Sequence, residues 1–282
     1  MNKYFLFFPQ LGLNDNLVQL LIIIRYCKAY NRILLLTDGA EYFHTSCNFY
    51  DLFEISHPNI IYDKCEIRKI ILENNFSVYP NNLNCKIIDI LDLKIKFKYQ
   101  GGGKPFLING TEAYLPKKNI NEDIIIYSSC GGGRGFSFFK ELALKNNIKN
   151  ICKEKMALLP DNYLCIQVRC TDLKCDYKKL YEDNKKIINS YNCIYIATDN
   201  KLVIDYFKSQ KLNVFNFSTF TGKTHAHWCC NSTDIFTIYC DALVDIFIAT
   251  NSNIILSNSK GGFVNLLREC FDNKEFVLNK LK

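Results

Sequence analysis

An α/β protein of two domains built on parallel sheets is the fold class this sequence predicts, and three observations carry the prediction. The chain opens as strand, amphipathic helix, strand. From Ile124 to the end, apolar runs of strand length alternate cleanly with helix-length amphipathic segments. Strands alternating with helices in this way mean a parallel sheet covered on both faces. Three of those strands also break into polar tips: IYIATDN at Asp199, CIQVRCTD at Arg169 and Asp172, and IILSNSKGGF at Ser257, Ser259 and Lys260. Ligands of open α/β sheets gather at the carboxyl ends of strands, so a cation, hydroxyls and carboxylates converging there fit an anionic, hydroxyl-rich ligand.

In chain order, the pattern predicts a strand at Tyr4 to Phe8, a helix at Asn16 to Tyr30 with Leu17, Leu20, Leu21, Ile24 and Cys27 at helical spacing, and a strand at Ile33 to Leu36. From Thr45 to Lys118 the pattern is irregular, with short strands expected at Ile60 to Tyr62, Lys86 to Ile90 and Ile95 to Tyr99, and a loop at Gly101 to Gly103. The regular part then reads as strand Ile124 to Tyr127, a glycine loop at Ser128 to Gly135 and helices between Phe138 and Leu159. Strands follow at Tyr163 to Val168, Cys193 to Ala197, Asn213 to Phe217 and Ile254 to Leu256, with helices at Lys178 to Ser190, Lys201 to Ser209, Ile235 to Ala249 and Phe263 to Cys270. The expected domains are 1–145 and 146–282, facing each other across a cleft.

Length and composition agree with this class. At 282 residues, 48% of them hydrophobic and 22% charged, the chain buries a core of ordinary size and is not disordered. No apolar run reaches the roughly eighteen residues of a membrane helix. The opening MNKYFLFFP has too short an apolar stretch for a signal peptide and reads as the first strand. The fourteen cysteines sit largely inside apolar runs, where cysteine acts as a small hydrophobe, so reduced thiols and a cytoplasmic location are expected. The net charge of +7 is spread through single lysines, which favours a small anionic ligand over a nucleic-acid track.

Each motif has a structural reading beside the functional one. The Arg169 fork matches phosphate oxygens; its structural alternative is an ion pair with Asp172 or Asp199. GLNDNLVQ, Gly12 to Gln19, places a glycine and free helix amides where an anion can approach, or else Asn14 or Asp15 is a helix cap. Ser257 to Gly262 offers two serines, a lysine and two glycines ahead of a helix, as a phosphate loop or as a capped turn. FSTFTGKT lacks the first glycine of a P-loop, which leaves Lys223, Thr224 and His225 as donors to an anion. His225, His227, Cys229 and Cys230 crowd too closely to close a tetrahedron, so no metal site is expected.

Taken in order, GLNDNL, QVRCTD, YIATDN and DALVDIFIATNSNIILSNSKGGF resemble the motifs of the α1,6/α1,2/protein-O-fucosyltransferase superfamily. That resemblance implies a GT-B fold of two Rossmann-like domains, an acceptor side in the N-terminal domain and a nucleotide-sugar site in the C-terminal one. It implies an inverting, metal-independent glycosyltransferase that needs no cofactor and moves fucose from GDP-fucose to a glycan. Arg169 would hold the β-phosphate, Asp172 and Asp199 would shape the donor site, Asp245 would face the base, and Ser257, Ser259, Lys260, Gly261 and Gly262 would form the phosphate-side loop. Gly12, Asn14, Asn16 and His225 join the substrate-binding set. Asp176, or else Asp15, would take the acceptor proton. The sequence departs from the family at Gln167, where a histidine stands, and at Cys170, where some branches carry a second arginine. A different donor, such as UDP-xylose or a rhamnose donor, and a non-catalytic homologue therefore remain alternatives.

Overall fold

A computed structural model describes residues 2–9, 12–37, 49–55, 59–92, 94–95, 97–98, 100, 104–129, 133–170, 175–220 and 235–282. The chain divides into two compact units, Met1–Leu142 and Ala143–Lys282. The first contains β1 (Lys3–Phe7), α1 (Leu13–Ala29), β2 (Arg32–Leu36), α2 (Phe49–Leu52), β3 (Phe53–Glu54), β4 (Ile60–Ile61), α3 (Lys64–Glu73) and β5 (Val78–Tyr79). It continues with α4 (Ile87–Leu91), β6 (Phe97–Lys98), β7 (Leu107–Ile108), β8 (Thr111–Glu112), β9 (Ile124–Tyr127) and α5 (Phe136–Phe139). The second contains β10 (Ala143–Leu144), α6 (Asn146–Met156), β11 (Leu164–Val168), α7 (Tyr177–Ile188), β12 (Ile194–Thr198) and α8 (Lys201–Ser209). Then come β13 (Val214–Phe215), α9 (Ile235–Asn251), β14 (Ile254–Leu256), α10 (Gly262–Asp272) and α11 (Lys274–Asn279).

In the first unit a five-stranded parallel sheet runs β4-β2-β1-β9-β5. Its centre is the apolar KYFLF strand, with Phe5 aligned to Leu34 on one side and Ile125 on the other. A strand covered on both faces has no polar side to show, which is why these runs do not alternate. A small antiparallel sheet, β6-β7-β8, turns at Asn109-Gly110, both with positive φ (48° and 82°). That is the backbone a tight hairpin needs, and Asn-Gly supplies it.

Several differences from the sequence reading fall in this unit. Lys86 to Ile90 is not a strand: helix α4 begins at Ile87, and Ile87, Ile90 and Leu91 turn together into the core. Helical spacing of three and four outweighed the strand preference of isoleucine. Helix α3 escaped the reading although Asp63 caps it, its side chain accepting from the Glu66 amide at 2.7 Å. The strand β5 and the β7–β8 hairpin were also missed. Helix α1 starts three residues earlier than expected, with Gly12 at the cap and no side-chain capping bond. Neither Asn14 nor Asp15 is the cap.

In the second unit a four-stranded parallel sheet runs β13-β12-β11-β14. On one face Leu164, Ile166 and Val168 of β11 join Ile194 and Ile196 of β12, packed by Leu180, Tyr181 and Ile188 of α7 and Val203, Ile204 and Phe207 of α8. Because side chains alternate along a strand, Cys165 and Gln167 of β11 and Tyr195 and Ala197 of β12 point to the other face, toward α9. The register pairs Cys165 with Tyr195 and Gln167 with Ala197. Among the described residues no helix is long and apolar enough to cross a membrane.

Candidate functional site

The polar tips of β11, β12 and β14 meet at one end of the second unit's sheet, and a chain of hydrogen bonds holds them together. The Arg169 amide donates to Ser259 Oγ at 2.9 Å. The Cys170 amide donates to Asp199 Oδ1 at 2.8 Å. Ser257 Oγ accepts from the Ser259 amide at 3.0 Å and donates to Gln167 Oε1 at 2.7 Å. The Asn258 side chain donates to the Asp176 carbonyl at 2.9 Å, and the Cys175 thiol donates to Asn258 Oδ1. Gln167, Arg169, Asp176, Asp199, Ser257 and Ser259 are therefore brought together by the fold. Of their partners, Cys175 was not singled out from the sequence. Burial pushes the Cys170 thiol up to about 11 and raises that of Cys175 as well, so both are protonated at neutral pH.

The loop after β14 leads directly into α10. Lys260 is exposed, Gly261 is the cap at φ 130°, and Gly262 begins the helix. Only glycine adopts that backbone without strain. No side chain caps α10, so the amides of its first turn are available to an anion, and the helix dipole favours negative charge there. Asp199 is not paired with Arg169: its Oδ1 accepts from Cys170, and its buried Oδ2 meets no donor among the described residues. Asp176 is exposed and caps α7, with Oδ1 accepting from the Lys179 amide at 2.9 Å.

Beneath these tips the α9 face of the sheet is polar. Gln167 is 3% exposed, and among the described residues no acceptor meets its side-chain NH2. Tyr195 is fully buried and donates to Asp245 Oδ1 at 2.5 Å. Burial pushes the Asp245 carboxyl up to about 8; the Tyr195 hydrogen bond opposes that rise, and the charges of Asp241 and Asp199 add to it.

In the first unit, the segment after β1 carries Gly12, Asn14, Asp15 and Asn16. Asn14 and Asn16 are buried in the first turn of α1, and Asn14 Oδ1 accepts from the Gly135 amide at 3.0 Å. A Cβ on Gly135 would stand 2.6 Å from that oxygen, so the glycine is what allows the loop to close on the helix. Gln19, one turn on, accepts from the Tyr127 hydroxyl at 2.7 Å. The residues expected at Asp172 and His225, and the cluster His227, Cys229 and Cys230, lie outside the described residues. Among the described residues no group of three or more His, Cys, Asp or Glu side chains converges as a metal site.

The structure is similar to solved fucosyltransferases along nearly its whole length. It resembles NodZ alpha-1,6-fucosyltransferase soaked with GDP-fucose with a TM-score of 0.60 at 15% identity, covering 95% of this chain and 92% of that one. Against fucosyltransferase NodZ from Bradyrhizobium the TM-score is 0.58 at 16% identity, over 95% and 93%. Against POFUT1 in complex with GDP-fucose it is 0.55 at 12% identity, over 96% and 94%. At such identities the likeness establishes the fold, which is the GT-B-like α/β fold of those enzymes. No family model and no curated protein sequence matches the chain.

Proposed function

We propose that this chain is an inverting glycosyltransferase of the α1,6/α1,2/protein-O-fucosyltransferase superfamily, moving a sugar, with fucose favoured, from a nucleoside-diphosphate donor to a glycan acceptor. The observation that carries the reading is Arg169 at the tip of β11, tied through its amide to the Ser259 side chain in the loop that opens α10. A guanidinium fork and uncapped helix amides, held in place by the serine side chains, are the groups a diphosphate needs. The proposed assignment gives the nucleotide sugar to the second unit and the acceptor to the first. Solved structures of this fold include NodZ soaked with GDP-fucose and POFUT1 in complex with GDP-fucose.

In the proposed reaction an acceptor hydroxyl oxygen bonds to the anomeric carbon from the face opposite the diphosphate. The carbon–oxygen bond to the β-phosphate breaks, its electron pair leaves with the nucleoside diphosphate, and the hydroxyl proton passes to a carboxylate. Arg169, Lys260 and the amides of Gly261 and Gly262 stabilise the charge that develops on the diphosphate. For the proton, Asp176, which gives one oxygen to the cap of α7 and keeps the other, and Asp15 are the candidate carboxylates. No metal step is invoked, and turnover in excess EDTA is expected to persist.

A second reading keeps the fold but changes the donor. Gln167 stands where the family's histidine is expected, and its carboxamide offers an NH2 that meets no acceptor among the described residues, rather than an imidazole. A thermal-shift panel of GDP, UDP, GDP-fucose, UDP-xylose and dTDP-rhamnose separates these readings, since a ligand at a hundred times its dissociation constant stabilises by about 2.7 kcal/mol. Stabilisation by GDP-fucose with slow release of fucose is the expected result. Stabilisation without hydrolysis or transfer to any glycan points to a binding homologue, and stabilisation by none of the panel overturns the proposal.

A further inference from the structure

The buried Asp245 carboxyl is held at one oxygen only. Tyr195 Oη donates to Oδ1 at 2.5 Å, while among the described residues no donor meets the second oxygen, although the side chain is 7% exposed. A carboxylate oxygen with no protein donor is left to solvent or to a ligand. The surroundings explain why tyrosine stands at this point. Tyr195 is the second residue of β12, on the α9 face, and its ring packs at 5.6 Å from that of Phe217. Among the described residues, the other titratable groups facing Asp245 are Cys165 on β11, Asp241 on its own helix and Asp199 at the end of β12. None of these is a cation.

We propose that Tyr195 is a positioning residue of the donor site: by locking one oxygen of Asp245 it commits the other to an N–H group on the base of the nucleotide. This rests on the function proposed above and adds to it a residue that touches no ligand itself. The raised Asp245 carboxyl fits, because a bound N–H favours the ionised form and binding then releases a proton. Without the tyrosine hydroxyl the carboxyl is harder to ionise and free to rotate.

Tyr195→Phe removes a single oxygen and leaves the ring in place. At pH 7.5 the variant is expected to bind GDP roughly tenfold more weakly than the parent, the scale of one hydrogen bond to a charged group. Its affinity for inorganic pyrophosphate, which has no base, should be unchanged. The rise in GDP affinity as pH approaches 8 should also move to higher pH in the variant. Made on an Asp245→Asn background, the same change should cost nothing further, a comparison that holds even if each variant is less stable. Equal GDP affinity in parent and Tyr195→Phe, or equal weakening toward GDP and pyrophosphate, overturns the proposal. A parent that binds neither overturns the donor-site reading itself, and that failure shows in the parent rather than in the variant.

Discussion

The two faces of the second unit's sheet are built from the same strands yet do opposite work. Toward α7 and α8, β11 and β12 present Leu164, Ile166, Val168, Ile194 and Ile196, all buried and apolar. Toward α9 they present Gln167 and Tyr195, which meet Ser257 and Asp245 through hydrogen bonds. A buried polar group stabilises a fold less than an apolar one of the same size and demands complete pairing. The apolar face is thus where folding free energy comes from, and the polar face is where recognition can be placed. The partial pairing of Gln167 and Asp245 among the described residues belongs on the second.

That contrast breaks if changes on the two faces have the same consequences. The largest expected effect is on the apolar face: Ile166→Ala, at a fully buried position, should lower stability by about 4 kcal/mol, within the usual range for such cavities, measured by denaturant unfolding. Nucleotide affinity of the folded fraction should not change. Arg169→Ala should do the reverse, keeping the melting temperature and lowering turnover by two to three decades, roughly 3 to 4 kcal/mol of transition-state stabilisation. Arg169→Lys, which keeps charge but not the fork, should fall between. An early-melting Arg169→Ala protein that still transfers sugar would assign the arginine to structure.

The pH dependence sharpens the comparison further. Asp245 is raised in the folded state, so its contribution to stability is fully present below the ordinary carboxylate range. It is lost as pH climbs toward about 8, because the unfolded chain ionises the group while the folded chain still holds the proton. Asp245→Asn should flatten that decline between about pH 4 and 8 in a melting-temperature series. A parent whose stability is level across the window would show that the carboxyl ionises freely in its pocket. The smallest effect is expected at Asp176→Ala, where loss of the α7 cap should lower stability by about 1 kcal/mol. A far larger loss of turnover than of stability there would assign the base role to Asp176 rather than Asp15.

Local periodicity was enough to place the repeated α/β units. Lys201–Ser209 and Ile254–Leu256 stand where apolar spacing put them, and the other strands of the second sheet differ only at their ends. The polar ends of β11, β12 and β14 were likewise visible as Arg169, Asp199 and Ser257, because a run of buried residues that stops in charge and hydroxyl is a local signal. Lys86 to Ile90 shows the limit: three apolar positions in five fit strand or helix, and only packing of Ile87, Ile90 and Leu91 into the core chose the helix. The Asp63 cap and the Asn109-Gly110 turn were legible signals that had no neighbouring periodicity to support them.

What the sequence determined by itself was the order of elements and the residue types at each strand tip, since both depend on neighbours within a few positions. Which tips meet was decided by tertiary structure. Ser257 and Gln167, ninety residues apart, bond only because β14 lies beside β11, and Tyr195 reaches Asp245 across fifty residues only because α9 packs on that face. Strand order and helix placement lower the free energy through contacts distant in sequence, so no local pattern encodes which of two polar side chains will become partners.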